Sequence, residues 1–124
     1  MTDEPYTKVN MKNELPIITF EHVSALREWL EANHATSDGI FVRIYKKNSG
    51  IAGVSFEDVL DEGLCFGWSE SLRLKGDDLS YLQKFSPRKA TGTTSERNRR
   101  RASRLIQEGR MTTAGLVALD FDKT

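Results

Sequence analysis

The sequence predicts an α+β fold: a small, mainly antiparallel sheet with a hairpin, packed by three to four helices. Three observations carry this. Residues 21–33 (EHVSALREWLEAN) repeat apolar side chains at helical spacing, with Val23, Leu26, Trp29 and Leu30 on one face. Residues 40–46 (IFVRIYK) alternate, with Ile40, Val42 and Ile44 against Phe41, Arg43 and Tyr45. Two further alternating runs, 67–75 and 79–86, flank KGDD, a turn sequence, and read as a hairpin.

Each element follows in order. Residues 1–15 lack periodicity and read as a tail, as do 120–124. PIITF at Pro16–Phe20 is a short β-branched run and reads as a strand. The first helix covers 21–33, with Thr19 as N-cap, Glu21 in its first turn and His34 at its C-terminal end. The strand over 40–46 leads into a loop marked by Gly50 and Gly53. Ser55 caps a second helix, SFEDVLDEGLCF, with Asp58 at the reciprocal capping position. Gly63 inside that helix costs about 1 kcal/mol against Ala, so it either admits another backbone or marks the helix end. In the hairpin, Trp68, Glu70, Leu72 and Leu74 alternate with Ser69, Ser71 and Arg73, and Pro87 is expected to end the return strand. Ser95 caps a helix over 96–108 that stops at Gly109. MTTAGLVAL begins one more short helix, capped by Thr112 or Thr113.

A chain of 124 residues implies one domain with a real core. No apolar run approaches the ~20 residues of a membrane span. The polar, acid-bearing start lacks the basic and apolar regions of a secretory signal, so the expected location is cytoplasmic. A single cysteine and two histidines exclude a disulfide framework and a multi-cysteine zinc site. No metal or cofactor is expected. The net charge is zero but unevenly spread. Residues 1–83 carry 8 basic and 14 acidic side chains (−6), residues 84–110 carry 9 and 2 (+7), and residues 111–124 carry 1 and 2 (−1).

The arginine-rich stretch gives two readings. At 100° per residue Arg97, Arg101 and Arg104 share a face, which is by default a solvated face or a docking surface for an acidic protein. Ser95 and the free amides at that helix start, with Arg88 nearby, form an anion site. The run itself lacks aromatic interleaving and carries no nucleic-acid motif, so nucleic acid is not an expected partner. Cys65, bracketed by Leu64 and Phe66 near a helix C-terminus, reads as a small buried hydrophobe rather than a nucleophile.

The hairpin carries the best-marked chemistry. Trp68 and Glu70 fall on one side of their strand, and Tyr81 and Phe85 on one side of the partner. An acid amid aromatics, with Arg73 and Arg88 close by, fits recognition of a cationic or hydrogen-bonding small ligand. The competing reading is a satisfied Glu–Arg pair over an aromatic core.

At WLEANH (Trp29–His34), YKKNSG (Tyr45–Gly50), LCFGW (Leu64–Trp68), YLQKFSPR (Tyr81–Arg88), Ser95 with Asn98, EGRM (Glu108–Met111) and AGL (Ala114–Leu116), the sequence resembles the YdeI/OmpD-associated family of bacterial and archaeal proteins, often labelled bacteriocin-protection proteins. The resemblance spans one domain over 16–119. It implies a link to envelope stress or antimicrobial-peptide protection, and a site at the LCFGW motif. Two positions depart from the family pattern: Ser69-Glu70 stands where members carry Ile-Asp, and Thr94 where members carry tryptophan. The combined expectation is a polar-aromatic cleft of Trp68, Glu70, Arg73, Tyr81, Phe85, Arg88, Ser95, Asn98 and Arg110. Three functions fit it: a non-enzymatic domain binding a small molecule or anion, an enzyme using Glu70 as general acid or base with an Arg-held anionic substrate, and a docking module built on the arginine helix.

Overall fold

A computed structural model of the chain describes residues 15–89 and 95–119. Residues 1–14 of the expected tail at 1–15, the expected tail at 120–124, and Thr94 lie outside these. The elements are β1 (Ile17–Ile18), α1 (Val23–Asn33), β2 (Ile40–Tyr45), α2 (Phe56–Phe66), β3 (Trp68–Lys75), β4 (Ser80–Pro87), α3 (Glu96–Gln107) and α4 (Thr113–Ala118), with one 3₁₀ turn at Lys47–Ser49. The strands form one sheet in the order β1-β2-β4-β3. Only β1 and β2 run parallel, and the other two pairings are antiparallel. This is the α+β class that the sequence predicts.

The helix ends follow local chemistry. Ser55 and Asp58 form a complete capping box on α2, satisfying two amides that would otherwise be orphaned. Ser95 and Thr112 cap α3 and α4 through their side chains. Gly67 closes α2 in the left-handed region at φ 77°, where a Cβ is disfavoured, so β3 can turn straight back along the helix.

Three sequence expectations are corrected. First, α1 starts at Val23 with His22, not Thr19, at its N-cap, so Glu21 lies outside the first turn. Burial of Phe20 draws this segment inward, where the Phe20 carbonyl accepts from the Val54 amide and its ring packs edge-on to Trp29. Second, Pro87 ends the return strand as expected but as the last residue of β4, which runs over Ser80–Pro87 rather than 79–86. The β2–β4 pairing stops at Phe85, so the missing proline N–H faces a stretch with no β2 partner. Third, β3 does not alternate throughout. A bulge between Glu70 and Arg73 shifts the register by one, so Glu70 pairs with Phe85 and Arg73 with Gln83. The extra residue moves Arg73 onto the face of Trp68 and Glu70, and Leu74 onto the other face.

The core gathers on one face of the sheet. Ile40, Val42 and Ile44 from β2 and Phe85 from β4 join Leu26 and Leu30 of α1, Val59 and Leu64 of α2, and Leu105 of α3. Full burial of each such aliphatic side chain stabilises by about 1.5–3 kcal/mol. Helix α2 crosses the core at close range. A Cβ on Gly63 would sit 2.8 Å from the Phe85 ring and 2.9 Å from the Trp68 carbonyl, so glycine here admits another backbone.

Candidate functional site

Two polar assemblies flank α2. The first is a chain of ion pairs. Glu62, on the inner face of α2, is 2% exposed. It accepts from Arg27 of α1 at 3.0 Å and from Arg110, beyond α3, at 2.6 Å. Arg27 reaches back to Glu31 at 3.7 Å, and Arg110 to Glu108 at 3.2 Å. Glu108 holds Arg104 at 3.1 Å, and Asp61 holds both Arg104 at 3.0 Å and Arg101 at 2.8 Å. Acids and arginines alternate along this path and balance in charge.

Burial works against the charge of Arg27 and Arg110, but hydrogen bonds and Coulomb attraction outweigh it and raise both guanidinium pKa values. For Arg27 these come from hydrogen bonds to Cys65 and Glu62 and from the Glu62 charge, and for Arg110 from Glu62 and then Glu108. Arg104 is raised by Asp61 and then Glu108. Arg27 also donates to the Arg110 carbonyl at 2.7 Å and lies over the Phe66 ring. The Cys65 thiol is fully buried here, and burial pushes its pKa up. It is a packing residue with little thiolate character.

The second assembly sits on the hairpin. The Arg73 guanidinium stacks on Tyr81, with its carbon 4.2 Å from the ring centre, and lies 5.2 Å from the centre of the Phe56 ring at the start of α2. Arg73 also donates to the side-chain oxygen of Gln83 at 3.4 Å. The Gln83 amide donates to the Leu72 carbonyl at 3.1 Å, satisfying a group that the bulge removes from the ladder. Glu70 flanks the same bulge on the same face. It is half-buried, and its carboxylate has no hydrogen bond or ion pair among the described residues.

The nine residues expected to form one cleft are therefore divided. Arg73 and Tyr81 come together on the hairpin, and Glu70 lies on the same face, opposite Phe85. Trp68 and Phe85 are buried beneath them, with ring centres 5.0 Å apart, and the Trp68 indole donates to the His34 carbonyl at 3.3 Å. Burial places these two rings in the core rather than on a cleft wall. Arg88 donates its backbone N–H to the Gly67 carbonyl, and its Nε is buried without a partner among the described residues. Ser95 spends its hydroxyl on the Asn98 amide. Arg110 belongs to the ion-pair chain. No hydrogen bond, ion pair or ring contact joins Ser95, Asn98 or Arg110 to Glu70 among the described residues. Two arginines of the expected basic face, Arg101 and Arg104, are held by Asp61.

Sequence reasoning passed over Phe56, Asp61, Glu62, Gln83 and Arg27. Glu62 left a signal: it falls three residues after Val59 and four before Phe66, on the helix face that packs inward. Among the described residues, no group of three or more His, Cys, Asp or Glu side chains is placed to hold a metal, and no helix is long and apolar enough to cross a membrane.

A family model described as a domain of unknown function, DUF8412, matches residues 18–118. The chain belongs to the DUF8412 family. No curated protein and no solved structure matches it. The DUF8412 match runs from β1 to the last residue of α4, so both polar assemblies lie within the domain that defines the family.

Proposed function

We propose that this DUF8412 domain acts on a small anionic molecule at the helix-facing side of its hairpin, with Glu70 as the acid–base group. One observation carries the reading: Glu70 is a half-buried carboxylate without a hydrogen-bond or ion-pair partner among the described residues, on the same face as a fixed arginine. Tyr81 and Phe56 hold the Arg73 guanidinium in place, so it can take a carboxylate or phosphate oxygen at little cost in side-chain entropy. Glu70 would then accept a proton from the held molecule, or return one, with its second oxygen free to accept a hydrogen bond. Binding without turnover uses the same residues and differs only in whether a proton moves. The motif resemblance to the YdeI/OmpD-associated family, with its link to envelope stress or peptide protection, is part of the proposal and rests on the sequence motifs alone.

The test begins with a thermal-shift screen of phosphorylated and carboxylated metabolites, followed by Arg73→Ala and Glu70→Gln on each hit. A ligand at 100 times its dissociation constant stabilises by about 2.7 kcal/mol. Arg73→Ala should abolish the shift, while Glu70→Gln should keep binding and remove turnover. Loss of binding in Glu70→Gln, with no turnover in the parent, would assign simple ligand binding. A hit indifferent to both substitutions would remove the site from the hairpin.

A further inference from the structure

The sheet has a second face that the core does not use. The core cluster takes Ile40, Val42 and Ile44 from β2, and leaves Phe41, Arg43 and Tyr45 on the opposite side. The strand register sets Lys84 beside Phe41, Leu82 beside Arg43 and Ser80 beside Tyr45. Leu74 extends the same face across β3, opposite Leu82, and is 39% exposed. Phe41 and Tyr45 are both partly exposed, and four strand steps set them about 13 Å apart. Between them the Arg43 guanidinium is fixed by donating to the Ser80 hydroxyl at 2.9 Å. The Lys84 ammonium group has no hydrogen bond or ion pair among the described residues. Lys46, just past the end of β2, donates to the Asp78 carbonyl and is exposed.

We infer that this face binds single-stranded nucleic acid through Phe41, Tyr45 and Lys84, which are partly exposed around the buried Ser80 and Leu82. Two aromatic rings spaced along one strand offer separate stacking platforms for bases, and the interleaved cations suit a phosphate backbone. No acid occupies a strand position on this face. The nearest acids are in the hairpin turn, where Asp77 is already engaged by Ser80, the Leu79 amide and Arg43. Charge complementarity therefore favours a polyanion over a neutral sugar or a basic peptide. Duplex is disfavoured, because its bases are stacked internally and offer no free ring faces. This site is separate from the arginine run of α3, which lacks aromatic side chains, and from the Glu70 site on the other face. Since the whole chain is neutral, binding should be non-specific in sequence, strongly salt-dependent, and on the order of 10⁻⁵ M.

Fluorescence anisotropy of the full chain with short labelled oligouridine and oligothymidine tests this, with matched duplex as a control. Phe41→Ala and Tyr45→Ala should each weaken single-strand binding by about tenfold. Lys84→Ala should lower the slope of log affinity against log salt by about 0.7. Arg97→Ala on α3 should change nothing. If Phe41→Ala does not fold, Tyr45→Ala combined with Lys84→Ala carries the same reading. The two oligonucleotides tell RNA from DNA preference. The inference is overturned by absence of binding at low salt, by duplex binding as tight as single-strand binding, or by affinity that the β2 substitutions leave intact while Arg97→Ala reduces it.

Discussion

Glu62 and Glu70 are eight residues apart, on either side of the α2–β3 turn, and their surroundings are opposite. Glu62 is buried and held by two arginines from elements 35 and 48 residues away in the chain. Glu70 is half-buried and has no partner among the described residues. A carboxylate taken out of water is tolerated when charge and hydrogen bonds replace the water. By that standard Glu62 is fully provided for, and it locks α1 and the segment after α3 onto α2. Glu70 keeps part of its hydration, so its coordination remains open to something else. The same residue type thus serves as a structural anchor at one site and as available chemistry at the other.

The sharpest way to break this contrast is to neutralise each acid in turn. Glu62→Gln leaves Arg27 and Arg110 sharing a neutral acceptor. Removing one member of a buried pair costs about 3–5 kcal/mol, and both guanidiniums reach solvent, so about 2–4 kcal/mol is expected. Glu70→Gln should move stability by no more than about 0.5 kcal/mol. Urea denaturation of both variants checks the pair. Equal effects would mean that Glu62 is not the anchor the geometry makes it.

A second substitution tests how tightly α2 is seated between the two sites. Gly63→Ala gains about 1 kcal/mol of helix propensity but drives a methyl group against the Phe85 ring and the Trp68 carbonyl. Overpacking of this kind costs about 1–3 kcal/mol. The carbonyl belongs to the backbone and cannot swing aside, so a net loss of about 1–2 kcal/mol is expected. A stabilised variant would show that the hairpin can slide away from α2, and with it the platform that carries Glu70.

What the sequence made legible divides along the same lines. The caps at Ser55 and Ser95 were readable, and that of α4 was narrowed to Thr112 or Thr113, because each cap acts on an amide three residues away. The grouping of Trp68 with Glu70, and of Tyr81 with Phe85, followed from strand periodicity. The bulge was not readable, because it involves a glutamine eleven residues further on whose amide reaches the Leu72 carbonyl. It puts Arg73 on the face that carries Glu70, so the candidate site depends on an irregularity that alternation alone denies. Trp68 and Phe85 were read as cleft walls because periodicity tells which residues share a face, but not which part of that face α2 covers. The partners of Glu62 were hidden by chain separation, although its inward placement on α2 was not.

The smallest expected effect concerns the far end of the hairpin, where a third acid lies between the two extremes. Asp77 is exposed, yet its carboxylate accepts from the Ser80 hydroxyl at 2.8 Å and the Leu79 amide at 2.9 Å, with Arg43 at 3.7 Å. Those hydrogen bonds, Ser80 first, hold its pKa below the ordinary carboxylate value. A group with a lowered pKa in the folded chain contributes stability that is present above the unfolded pKa of about 3.9 and is lost as pH falls through the folded value. Asp77→Asn keeps the shape and an acceptor oxygen but removes the charge. The melting temperature of the parent should therefore exceed that of Asp77→Asn near neutral pH, and the gap should close as the solution is acidified below the ordinary carboxylate range. A gap unchanged by acid would mean that the turn depends on shape rather than charge. The hairpin that carries Glu70 and Arg73 would then owe its order to the strands alone.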